Sequence, residues 1–155
     1  MRRTRLCILL FVLCNLCISA QDQSQQGFSG VQIENPLGKD LTIELQSCIG
    51  DKYAQIVHIR TLFTQHFAHQ AIKITGVAVF DEKGNKYDIS PYGGKSEDLN
   101  QYMVAKSHPR KIPMQVNKIL SSVSKLEKVE LEVLLTKPYQ KVTVILKNVP
   151  ILWKE

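Results

Sequence analysis

Val129-Glu130-Leu131-Glu132-Val133-Leu134-Leu135 and Val142-Thr143-Val144-Ile145-Leu146, separated by the turn-like Thr136-Lys137-Pro138-Tyr139-Gln140, decide the fold of this chain. Both runs are rich in β-branched residues, and the first alternates apolar with charged positions. A strand with one buried and one wet face has that period of two, because successive side chains point to opposite sides. The same period recurs upstream. Leu41-Thr42-Ile43-Glu44-Leu45-Gln46 alternates strictly. In Val57-His58-Ile59-Arg60-Thr61-Leu62-Phe63 the face bearing Val57, Ile59 and Phe63 turns inward, and His58 and Arg60 turn out.

Ile72-Lys73-Ile74-Thr75 is followed by Gly76 and then by Val77 to Phe80, so Gly76 is read as a bulge that resets the pleat. Asp81-Glu82-Lys83-Gly84-Asn85 is a hairpin connection in which Gly84 and Asn85 take positive φ at little cost, and Lys86 to Ile89 returns from it. Ile112 to Val116 supplies a further strand. Ile119 to Leu126 is expected to form one or two helical turns linking opposite edges, and no longer amphipathic helix is present. Seven to nine short strands spaced in this way define two antiparallel sheets packed face to face. The expected fold class is all-β, an Ig-like antiparallel β-sandwich in a single domain over residues 31–155.

The first twenty residues read as an export signal. Arg2, Arg3 and Arg5 make a positive start, Leu6 to Leu13 an apolar run, and Ile18-Ser19-Ala20 a small-residue cleavage site before Gln21. The run is too short to span a bilayer, which takes ~20 apolar residues. Gln21 to Gly30 is a Gln- and Ser-rich flexible leader. Three of the twenty basic residues lie in the signal and none of the fourteen acids does, so the mature chain carries seventeen against fourteen, a net +3. That balance is mild, and no clustered basic run of the kind nucleic acid requires is visible in the sequence. Of four cysteines only Cys48 survives cleavage, which rules out a disulfide within the mature chain; Cys48 is expected to be a small buried apolar residue, with an intermolecular disulfide or a reactive thiol as the alternatives. Leu13 and Leu16 precede Cys14 and Cys17 where lipidation wants a small residue, and Thr4-Arg5 does not continue a twin-arginine signal.

Val57-His58-Ile59 leading to Phe63-Thr64, the hairpin Val79-Phe80-Asp81-Glu82-Lys83-Gly84-Asn85-Lys86-Tyr87, Ile112-Pro113-Met114 and the closing Val149-Pro150-Ile151-Leu152-Trp153 together resemble the small secreted Ig-like (telokin-like) sandwich domains of bacterial envelope proteins, across roughly residues 31–153. The Cys…Trp…Cys core of antibody-type domains is absent. What the resemblance implies is a domain that binds or spaces other proteins, and it carries over no catalytic residue.

Residue constellations for chemistry are sparse. His66 and His69 reach one ion only from a helical segment, and zinc needs three or four ligands. Gly93-Gly94-Lys95-Ser96 lacks the earlier glycine of a phosphate loop, since Ile89 stands there. No Gly-x-Ser-x-Gly elbow occurs, and the acid pairs Asp81-Glu82 and Glu97-Asp98 fall in turns. Ser90 to Lys111 is far longer than the ~4–6 residues of an ordinary connection. It carries Tyr92, Tyr102, Met103 and Arg110, residue types enriched at protein interfaces. The competing reading packs Tyr102-Met103-Val104 down as a lid or edge strand. Trp153 follows the apolar pattern of the last strand and is expected to plug the core or rim.

The sequence therefore points to an exported, non-catalytic module that acts by contact with an envelope or cell-surface protein through Tyr92, Tyr102, Met103 and Arg110. No cofactor, metal, nucleic acid or transmembrane anchor enters this reading. Two other classes stay open. A glycan or small-ligand module calls for Trp153, Tyr92 and Tyr102 on one surface. An enzyme or metalloprotein calls for His66, His69 and an acid to converge, or for Cys48 exposed beside a histidine.

Overall fold

The computed structural model describes residues 28, 30–87, 89–90 and 101–155. They form two sheets built from eleven strands. In chain order these are β1 (Gln32–Glu34), β2 (Leu41–Asp51), β3 (Ile56–Gln65), β4 (Gln70–Asp81), β5 (Lys86–Tyr87), β6 (Ile89–Ser90), β7 (Gln101–Val104), β8 (Arg110–Asn117), β9 (Lys125–Thr136), β10 (Tyr139–Pro150) and β11 (Leu152–Lys154). The first sheet runs β1-β10-β9-β4-β5, with β7 also on β4; the second runs β11-β2-β3-β8-β6. The strand total exceeds the seven to nine expected because short edge segments of two to four residues carry too little sequence to show a period.

The two β-branched runs around Pro138 form the hairpin β9–β10, paired from Thr136–Tyr139 to Lys125–Pro150. Its inward residues Val129, Leu131, Val133, Val144 and Leu146 are fully or almost fully buried. They meet Val57, Ile59 and Phe63 of β3 and Ile112, Met114 and Val116 of β8 across the sandwich. Burial of this apolar surface, at about 25 cal/mol per Å², is what holds the sheets together.

Gly76 does reset the pleat. The β4–β9 register slips between Ile74 and Gly76, and the buried positions change from Ile72 and Ile74 to Val79 and Asp81. Gly84 takes φ +79°, whereas Asn85 stays out of the left-handed region. A helix over Ile119–Leu126 does not form. Ile119 and Leu126 are both fully buried at opposite ends of a stretch that crosses between sheets, and three serines between them favour turns over helix. The stretch is pinned instead by Ile119 N–H to the Gln55 carbonyl, at 3.1 Å, and by a tight turn from Leu120 to Val123. The sheets are antiparallel with one exception, β11, which runs parallel to β2 after the chain changes sheet at Ile151.

Candidate functional site

The described part of the long connection, from residue 101 on, forms an edge strand and a crossing. β7 pairs with the start of β4, Tyr102 opposite Ile72 and Met103 opposite Ala71, and it lies against β8 and β3 of the other sheet. Tyr102 is half-buried on the core, whereas Met103 is 64% exposed. Arg110 opens β8, opposite Phe63. Burial pushes the Tyr102 phenol up, and the nearby Arg110 guanidinium pulls it part of the way back. Three of the four expected residues thus meet at one corner, where the chain leaves the first sheet for the second; Tyr92 lies outside the described residues.

The crossing itself, residues 105–109, is tied down. Ser107 N–H donates to the Gln65 carbonyl at 2.7 Å, and Lys106 pairs with Gln65 as a parallel bridge. Lys106 N–H donates to His69 Nδ1 at 3.1 Å, and His108 Nδ1, 2.8 Å from the Lys106 carbonyl, must donate to it. His66 is held separately, its Nε2 2.8 Å from Thr42 Oγ1 and its N–H on the Asp40 carbonyl at 2.9 Å. The two histidines of the His-x-x-His run therefore serve different neighbours rather than one ion. Among the described residues no three His, Cys, Asp or Glu side chains gather as a metal site.

Between those anchored histidines stands Phe67, 72% exposed. Sequence reasoning passed over it because it lies outside the alternating runs. Its signal was an aromatic between two histidines, with polar Gln65 and His69 at the period-two positions on either side. Buried Gln65 and Gln70 bracket the loop. Gln65 Oε1 accepts from His66 N–H at 3.0 Å, and Gln70 Oε1 from Lys137 N–H at 3.1 Å.

The other candidates take structural roles. Cys48 is fully buried, and desolvation pushes its thiol up to about 12, far from a nucleophile's range. Trp153 lies at the opposite end of the sandwich, half-buried, with Nε1–H donating to the Val123 carbonyl at 2.8 Å. Asp81 is buried and staples its hairpin. Its Oδ1 accepts from Lys83 and Asn85 N–H at 2.8 and 2.9 Å, and its Oδ2 accepts from Asn85 Nδ2 at 2.8 Å and Tyr87 Oη at 2.7 Å. Its neighbour Glu82 faces Lys125 at 3.2 Å, so the pair does not act as two facing carboxylates.

The fold and this corner define a class: a two-sheet β-sandwich with an edge strand and a firmly anchored loop end. Neither family models nor curated proteins give a match to the sequence.

Proposed function

We propose that this chain is an exported, non-catalytic Ig-like module that acts by contact with an envelope or cell-surface protein. Its binding edge is β7, with Tyr102, Met103 and Arg110. The observation that carries the reading is the exposure of Met103 on a short strand that has a neighbour on the β4 side. Among the described residues no strand pairs with the other side of β7, which leaves backbone donors and acceptors for an incoming strand. Met103 supplies adaptable apolar area, and Arg110, near Tyr102, a charge-assisted donor. A rigid sandwich beneath keeps the ordering cost of binding low.

The glycan reading is weaker on this geometry, because Trp153 and Tyr102 sit at different ends of the molecule and both are partly buried. Export rests on the Arg-rich start, apolar run and Ala20 cleavage site, and N-terminal sequencing of the protein outside the cytosol should begin at Gln21. The functional test is affinity capture after in-cell crosslinking, comparing the wild type with Met103→Glu/Arg110→Glu. A stoichiometric protein partner lost in the double variant supports the reading. A partner retained at full yield removes β7 from it.

A further inference from the structure

Where β3, β7 and β9 end and β2, β4, β8 and β10 begin, the sandwich has an end face that adjoins the β7 edge at Arg110. Its connections are 35–40, 66–69, 105–109 and 137–138. They carry exposed Lys39, Lys106 and Lys137 against one acid, Asp40, with Arg110 and Lys111 at the rim and Glu44 level with Lys111 across β3. Among the described residues no carboxylate lies within ion-pairing distance of these five cations. Elsewhere Lys52, Lys125, Lys128, Lys141 and Lys147 each reach one, while Arg60, Lys73, Lys83, Lys86, Lys118 and Lys154 reach none among the described residues, so this end is marked by how many cations it gathers and not by their lack of partners. The mild overall charge thus conceals a segregated one. The chain brings lysines from three separate connections, Lys39, Lys106 and Lys137, to one end.

Two large apolar side chains stand among those cations, Phe67 at 72% and Tyr139 at 80% exposed. The loop bearing Phe67 is clamped by Thr42, Asp40, Gln65 and Lys106, so the phenyl ring is held outward instead of being left on a loose loop. Unneutralised cations around protruding aromatics match a surface that is anionic at its boundary and apolar just beneath. A bilayer containing anionic lipid has that profile: lysines meet the phosphates while aromatics enter the headgroup–acyl boundary. An acidic protein surface matches the charge but leaves two separate aromatics needing pockets.

We propose that this end face seats the protein on an anionic lipid bilayer. Seating there leaves β7 directed sideways, available to a protein partner at the same surface. The inference goes beyond the contact reading and does not depend on it.

The test is co-sedimentation of the full exported chain with vesicles, either pure phosphatidylcholine or equal parts phosphatidylcholine and phosphatidylglycerol. The wild type is expected to bind the anionic vesicles, to bind the neutral ones at least about tenfold more weakly, and to be released by salt. Lys106→Glu/Lys137→Glu should weaken binding by about tenfold or more, since each cation at an anionic surface contributes severalfold. Phe67→Ser should weaken it even at low salt, while Tyr53→Ser/Leu120→Ser at the opposite end should bind as the wild type. All these side chains are exposed, and unchanged thermal melting confirms that the variants fold. The proposal is overturned if the wild type ignores anionic vesicles at low salt, or binds neutral ones equally. It is equally overturned if Lys106→Glu/Lys137→Glu binds like the wild type. Release by inorganic polyphosphate together with no effect of Phe67→Ser also overturns it, by showing a site for free anions rather than a bilayer.

Discussion

The indole of Trp153 lies flat on Gly50, its register partner in the parallel β11–β2 pair, so closely that a Cβ on Gly50 would stand 2.3 Å from ring carbon Cε3. Nothing flexible separates them. Gly50→Ala must push the ring off the strand and break its bond to the Val123 carbonyl. The expected loss is about 2–3 kcal/mol, read as a fall in the urea midpoint with unchanged slope.

At Gly76 the same substitution meets a softer obstacle. The carboxylate end of Glu132 lies 2.7 Å from the Cβ position, held by Lys141 Nζ at 2.9 Å and Thr75 Oγ1 at 3.3 Å. These contacts are on the exposed face of the sheet, and a glutamate can swing away. Gly76→Ala should lower the urea midpoint by clearly less than Gly50→Ala does. An equal loss would mean that the bulge itself, and not the side chain above it, demands glycine.

Asp81 gives the fold an acid limb. Desolvation alone would raise its carboxyl, but hydrogen bonds from Asn85, Tyr87 and the backbone of Lys83 outweigh it and hold the group at about 2 instead of 3.8. A folded value below the unfolded one stabilises fully above pH 3.8, and that contribution disappears as pH falls through about 2. Asp81→Asn should therefore flatten the decline of stability with acid in that window, measured by urea titration at successive pH values. Asp81→Ala leaves buried donors unmet and should cost roughly 2–3 kcal/mol at neutral pH. Tyr87 acts at the other limit. Burial first, and then its bond to Asp81, push its phenol up to about 12, so its contribution is complete below pH 10.0 and is lost as pH rises through about 12.

Cys48 should be silent to thiol reagents in the native protein. It is fully buried in β2 with its thiol pushed up to about 12, so labelling at mildly alkaline pH should follow global unfolding, not solvent exposure of the native state. Fast labelling of folded protein, measured by mass shift, would contradict that placement.

The sandwich was legible wherever alternation ran for five residues or more. Val57, Ile59 and Phe63 turn in, and the glycine between Thr75 and Val77 resets the pleat as its position suggested. Ile119–Leu126 misled because its apolar spacing suits a helix as well as a crossing. Burial of both its ends in a passage between sheets decided the matter, and that is a tertiary fact. Tyr102, Met103 and Arg110 were visible as residue types, yet their meeting depends on β7 joining β4 while β8 starts in the other sheet. The basic end face was hidden for the same reason. Lys39, Lys106 and Lys137 are dozens of residues apart, and only the strand ends bring them together.

Contact through β7 is tested most directly by a site-specific photo-crosslinker placed at Met103 in living cells, with Tyr53 at the opposite end as the comparison. A discrete protein adduct at 103 and none at 53 is the predicted result. Adducts of equal yield at both positions, or none at 103, would contradict contact through β7.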